Sequence, residues 1–222
     1  MYKTELHCHS SDVSACARAD SAMIAKLFYE AGYTSLVLTN HFASFTYDHL
    51  NSRSWQDFID KFVAGVTNLR SAVDGKINIL LGIELRNKES NNDYLIFGID
   101  EDFLRKNEFF YNLPLAEIHS AVKKAGAVLI QAHPFRNGMS VVNPESLDGV
   151  EIFNGHHGHD SRNEIAAMWA KKYSLITTAG TDFHYTHSAP NGGIMTDVPV
   201  TSERQLAEIL KSGCYTLIKE DW

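Results

Sequence analysis

Glu5-Leu6-His7-Cys8-His9, close to the start of the chain, sets two histidines at i and i+2. In a strand, side chains alternate faces with a period of two, so both imidazoles point the same way. Paired imidazoles at a strand end form half of a metal site. A second pair with the same spacing, Asp182 and His184 around Phe183, lies toward the other end of the chain. The two pairs predict a metal site where the first strand and a late strand meet.

Working outward, apolar strand-like runs alternate with helical patterns. Ser35 to Thr39 runs into Asn40-His41, and Ile77 to Ile83 delivers Glu84. Tyr94 to Ile99 follows Asp93, and Ala127 to Ile130 leads to His133-Pro134. Val150 to Phe153 precedes the loop His156-His157-Gly158-His159, and Leu175 to Ala179 ends in Gly180-Thr181-Asp182. Helices are expected from Asp20 or Ser21 to Ala31, from Trp55 to Val73, from Pro114 toward Gly126, from about Ser161 to Lys172, and from Ser202 to Gly213. Their starts carry side-chain caps or a proline, and glycines follow several of their ends. The aromatic and polar stretch Phe42 to Arg53 reads as an irregular segment, a candidate lid or simply packing. A final strand is expected from Tyr215 to Ile218.

Near-continuous apolar strands joined by helices signal a parallel sheet covered on both faces. Seven or eight such units close more naturally into a barrel than into an open sheet. No linker or repeat divides the 222 residues, so the expectation is one α/β domain over residues 1–222.

The hydrophobic fraction of 44% provides for a substantial core, and the net charge of −7 argues against a general nucleic-acid surface. Bound cations can still reverse the field inside a site, so a small anionic substrate is compatible with that charge. Three unpatterned cysteines, Cys8, Cys16 and Cys214, give no disulfide framework. With no signal pattern and no apolar run of membrane-spanning length, the chain reads as a soluble cytoplasmic protein that meets no membrane.

His7, His9, His41, Glu84, His133, Asp182 and His184 each fall at or just beyond the predicted end of a strand. In a parallel barrel those ends share one rim, where active sites are built. A lone histidine such as His41 or His133 is more often a loop residue, and Glu84 alone says little. Their coincidence on one rim is what counts, because ligand-type side chains set against apolar strands need partners if buried. The mixture of imidazole and carboxylate suits zinc, manganese or iron. It exceeds the needs of one four-coordinate ion, so two or three ions are implied, with Glu84 able to bridge two of them. Arg136, Arg18, His159 and Arg162 are the candidate contacts for a phosphate or other anion. The last two flank the start of a helix, where anions are favoured.

Together these fragments resemble the PHP (polymerase and histidinol phosphatase) family of metal-dependent phosphoesterases. His7-Cys8-His9 matches its HxH motif, Thr39-Asn40-His41 its T-D-H, and Gly82-Ile83-Glu84 its G-[IV]-E. Ala132-His133-Pro134 matches A-H-P, and Gly180 to His184 matches G-[ST]-D-x-H, all in the family's order. The resemblance implies a distorted (β/α)7 TIM-like barrel with a trinuclear metal centre. His7, His9, Glu84 and Asp182 would hold one ion. Glu84 and His133 would hold a second, and His41 and His184 a third. Three positions depart from the pattern. Asn40 replaces an Asp, while Ser14 and Ala15 stand where a further ligand is usual, so Asp12 or Cys16 would substitute. Asp93 or Asp100 stands in for a usual histidine.

The implied reaction is hydrolysis of a phosphomonoester of a small metabolite, histidinol phosphate among the options. A metal-bridging water, deprotonated near neutral pH, would be the nucleophile. Asp182, His184 and Glu84 are the expected catalytic groups, with Asp182 or a rim histidine protonating the leaving oxygen. The competing readings are a nucleotide or oligonucleotide phosphodiesterase and a non-catalytic metal-stabilised domain.

Overall fold

The computed structural model describes residues 1–219. Its first strand, β1 (Tyr2–Cys8), is exposed at the start and fully buried from Thr4 onward. α1 (Ser21–Glu30) follows, capped by the Asp20 side chain accepting from the Met23 N–H. Then come β2 (Tyr33–Leu38), the short β3 (His41–Phe42), α2 (Ser44–His49) and α3 (Trp55–Val73). β4 (Asn78–Leu81), β5 (Ile83–Arg86), β6 (Asp93–Phe97), α4 (Glu101–Lys106), α5 (Leu115–Lys124) and β7 (Val128–Gln131) form the middle. The chain continues through β8 (Gly149–Asn154), α6 (Asn163–Tyr173), β9 (Ile176–Gly180), β10 (Gly193–Thr196), α7 (Glu203–Ser212) and β11 (Thr216–Ile218).

The strands form two mixed sheets, ordered β11-β10-β1-β2-β4 and β3-β5-β6-β7-β8-β9. This corrects the expected all-parallel barrel, since β5–β6, β6–β7, β1–β10 and β10–β11 pair antiparallel and the sheets do not close into a ring. The cause is partly connection length. Residues 87–92 are all that join β5 to β6, enough for a hairpin and too few for a parallel crossover. The stretch expected to be one strand from Ile77 to Ile83 is broken at Gly82, which hands the chain from the first sheet to the second. A Cβ at Gly82 would lie 2.6 Å from a Val37 methyl, so only glycine permits this approach. At the other edge the sheets touch through a Cys8–Phe183 bridge, with His9 N–H donating to Phe183 O and Phe183 N–H to His7 O.

Helices cover the outer faces. α3 buries Trp55, Phe58, Ile59, Phe62, Val66, Leu69 and Val73, one stripe at helical spacing. Inside, Leu6, Val37, Leu80, Leu95, Phe97, Val128 and Ile130 form a second apolar cluster that Leu206 and Leu210 of α7 complete. The stretch predicted to be irregular, 42–53, instead contains α2. Phe42 packs in the core against Trp55, Phe58 and Phe62, and Phe45 stays on the surface. No helix among the described residues is long and apolar enough to cross a membrane.

Candidate metal centre

β1 does not alternate cleanly at its end. Glu5 pairs with Leu36 and Cys8 with Leu38, so one extra residue bulges out of β1 beside the site. Cys8 packs into the apolar core, while the rings of His7 and His9 lie 5.2 Å apart and buried. Glu84, on β5, stands between histidines from several strands. Its Oε1 is 3.2 Å from His7 Nε2 and 3.2 Å from His133 Nε2. Its Oε2 is 3.4 Å from His9 Nε2 and 2.7 Å from His41 Nδ1. Asp182 Oδ1 gathers the opposite side, 3.3 Å from His7 Nε2, 3.4 Å from His9 Nε2 and 3.2 Å from His184 Nδ1.

Two of these residues hold left-handed backbone conformations, His133 at φ 28° and Asp182 at φ 50°. Such conformations cost roughly 1–3 kcal/mol for a non-glycine residue and cluster at functional sites. Both lie just past the end of their strands, where the turn aims the side chain back over the sheet.

The donor atoms fall into four overlapping triads, each within 4.8 Å: His7-Glu84-His133, His7-His9-Asp182, His9-His41-His184 and His41-Glu84-Asp93. His7 Nε2 and His9 Nε2 are buried without a hydrogen-bond partner, and His41 Nδ1 and Glu84 Oε2 face each other at 2.7 Å without an aligned hydrogen bond. Buried polar atoms left in this state are costly, and a divalent cation satisfies several at once. The donor set therefore fits metal ions.

The electrostatics agree. Burial opposes charge on Glu84 and Asp182, yet the surrounding histidines hold both carboxyls well below the ordinary carboxylate range. Burial likewise disfavours charge on His41 and His184, but Glu84 and Asp182 respectively outweigh it, pushing the rings up to about 10 and about 11. His9 goes the other way, held well below its usual value by burial and then by the neighbouring His184 and His41. A centre that gathers protons onto its imidazoles in this way gathers cations in their place.

A cleft of about 260 Å³ opens onto the cluster. Cys16, Arg86, Asp93, Arg136, His156, His159 and Tyr185 line it beside His41, Glu84, His133, Asp182 and His184. Asp93 heads β6, and because β6 runs antiparallel to its neighbours, that first residue sits level with Arg86 at the end of β5. Arg86 clamps it through both oxygens at 2.7 and 2.6 Å, and Arg136 approaches at 3.5 Å. Asp93 is thus at the site, but its oxygens are engaged by guanidinium. His159 Nε2 lies 3.6 Å from Asp182 Oδ2, and its ring stacks on His156 at 4.5 Å.

Other candidates are not brought in. Asp12 accepts from Ser21 Oγ, and the tight turn on Ser10 carries Ser14 into the site instead. Ser14 Oγ accepts the His41 N–H at 3.1 Å, donates to Asn40 Oδ1 at 2.9 Å and lies 3.5 Å from His9 Nδ1. Asp100 caps α4 by accepting the Phe103 N–H. Arg18 is exposed and donates to Ala15 O and Ala17 O. Arg162 donates to Phe135 O and Asn137 Oδ1, away from the cleft lining. Sequence reasoning overlooked Arg86 and Glu151. Arg86 follows Glu84 at i+2, the same spacing that picked out His7 and His9. Glu151, a charge inside the apolar run Val150 to Phe153, was a buried-polar signal.

No family model matches the sequence, and no curated protein matches it. Solved structures do match. A two-domain protein containing a predicted PHP-like metal-dependent phosphoesterase from Bacteroides vulgatus aligns over 99% of this chain with a TM-score of 0.71 and 15% identity. A candidate metal-dependent phosphoesterase from Bifidobacterium adolescentis aligns over 95% of this chain and 96% of its own, with a TM-score of 0.54 and 13% identity. A lesion-specific endonuclease from Pyrococcus furiosus aligns over 97% of this chain with a TM-score of 0.65 and 14% identity. The chain spans 65% of the length of the Bacteroides protein and 57% of that of the endonuclease. At these identities the likeness is one of fold, and the fold is that of PHP-like metal-dependent phosphoesterases.

Proposed function

We propose that this chain is a metal-dependent hydrolase of phosphate esters, acting on a phosphomonoester of a small metabolite. The observation that carries the reading is one cleft lined by both a buried cluster of metal-ligating side chains and two arginines. His7, His9, Glu84 and Asp182 would hold one ion, Glu84 and His133 a second, and His41 and His184 a third. When bound, such ions acidify water and neutralise the charge that builds on the phosphoryl oxygens.

The chain's own residues do the rest. Arg136 and Arg86 would grip the remaining phosphoryl oxygens from beside the ligand cluster, each with donors left over from Asp93. The histidines around Asp182 hold its carboxyl well below the usual carboxylate range, which suits cation binding and favours a rim histidine, the other group expected, as the proton donor. His159 faces the cleft with a buried Nε2 that makes no hydrogen bond, and it is placed to protonate the leaving oxygen. Cleft size and a net charge of −7 favour a small substrate over long nucleic acid. Three free cysteines fit a reducing, cytoplasmic setting.

The test is a phosphate-release screen over a panel of phosphorylated metabolites and nucleotides, with metal content measured on the same preparation. Release from small monoesters is expected. Cleavage only of oligonucleotides would transfer the reading to a phosphodiesterase, and inactivity with every metal would favour a binding domain.

A further inference from the structure

Beneath the ligands lies a carboxylate that the chemistry above leaves unused. Glu151, on β8, has a side chain 0% exposed. Its Oε1 accepts the Nδ1 hydrogen of His7 at 2.9 Å. Its Oε2 accepts the backbone N–H of His133 at 3.0 Å and the side-chain amide of Asn154 at 2.9 Å. The same Asn154 nitrogen donates to Asp182 Oδ2 at 3.1 Å. Asn154 Oδ1 accepts the His156 N–H at 3.2 Å, which fixes the way its amide faces.

The strand is shaped for this arrangement. Glu151 and Asn154 stand three residues apart, which in a regular strand would send them to opposite faces. Glu151 pairs with Thr178 but Phe153 with Ala179, and the slip between them turns both side chains inward. Across from them, a Cβ on Gly180 would lie 2.4 Å from His7 Cβ and 2.9 Å from Glu151 Oε1. Only glycine leaves room for the contact.

We propose that Glu151 is the positioning residue of the metal centre, one carboxylate tying together ligands from β1, β7 and β9. It holds His7 in the tautomer whose Nε2 lone pair faces Glu84 and Asp182. It pins the left-handed turn at His133, and through Asn154 it sets the rotation of Asp182. The inference rests on the metal-centre reading above and assigns the spacing of the ligands to a residue that binds no metal. Carboxylates that orient metal-bound imidazoles commonly change affinity by about 10–100-fold when removed. Glu151→Gln keeps the volume, but its amide has one oxygen end and one donor end. It cannot accept from His7 and from His133 on separate oxygens.

The experiment titrates metal-free protein with Zn(II) against a chromophoric chelator, alongside circular dichroism and melting of the metal-free form. Glu151→Gln is expected to stay folded and bind zinc about 10–100-fold more weakly. Asn154→Ala, which removes the link from Glu151 to Asp182 and the acceptor for His156 N–H and Ser161 Oγ but leaves Glu151 bonded to His7 and His133, is expected to show a smaller loss. A purely structural Glu151 would lower the metal-free melting temperature and leave the folded protein's zinc affinity unchanged, and that result would overturn the proposal. If Glu151→Gln fails to fold, Glu151→Asp, which withdraws the carboxylate from His7 and His133 but keeps its charge, takes its place, and unchanged zinc affinity in that variant again overturns the proposal. Wild-type protein that takes up no zinc would remove the metal-centre reading itself, a failure visible before any variant is compared.

Discussion

The two walls of the cleft solve the same charge problem in opposite ways. On one wall, Glu84 and Asp182 are buried among imidazoles whose positive charge is held by exchangeable protons. On the other, buried Asp93 is neutralised by Arg86 and Arg136, whose guanidiniums stay charged at every accessible pH. On the proposed function, the imidazole side trades protons for metal ions, while the arginine side keeps its charge without metal and offers its spare donors to a substrate anion. The proposal thus divides cation binding and anion binding between two neighbouring groups.

The sharpest way to break this comparison is to remove the shared carboxylate. Glu84→Gln should cost about 1000-fold or more in kcat, several kcal/mol of transition-state charge stabilisation, and at least one bound ion. Metal analysis and steady-state kinetics on one sample check it, and full activity with full metal content would sink the division of labour. His159→Gln should lower kcat by about 100-fold and leave the metal content intact, as expected for loss of a proton donor. Loss of metal instead would make His159 a ligand. On the arginine wall, Arg136→Gln or Arg86→Gln should lower kcat/KM by about 10–100-fold, the worth of one charge-assisted hydrogen bond, again with metal unchanged.

The smallest expected effect concerns pH. His41 and His184 titrate near 10 and 11 in the folded metal-free chain, against 6.5 for an ordinary histidine. Their folded values are raised, so the stability they contribute is fully present below about 6.5 and lost as pH rises through 10 and 11. The melting temperature of chelated protein should fall across that window, while metal affinity rises as fewer protons must be displaced. A flat profile for both would mean that these rings are not exchanging protons for metal.

Much of the metal cluster was legible because its ligands follow apolar runs, where a polar side chain is conspicuous. His7, His9, His41, Glu84, His133, Asp182 and His184 were found that way, and the structure gathers all of them. Strand direction was not legible. Nothing in the run Tyr94 to Ile99 distinguishes an antiparallel strand from a parallel one, and only the short 87–92 connection hinted at it. Strand direction bears on Asp93, which lies level with Arg86 across an antiparallel pair and stands between that guanidinium and the His41–Glu84 donors. Asp12 failed for a local reason. A single tight turn on Ser10 decides which side chain of the loop points inward, and it selects Ser14. Glu151 was overlooked because a strand read only for hydrophobicity hides its one charge, and because the bulge that aims Asn154 leaves no mark on the pattern.

The central claim is tested most directly by removing the metal. Protein stripped with a chelator and dialysed should release no phosphate from a small monoester, and restoring zinc, manganese or iron should bring activity back as two or more ions bind per chain. Hydrolysis that survives with fewer than two ions per chain would contradict the account.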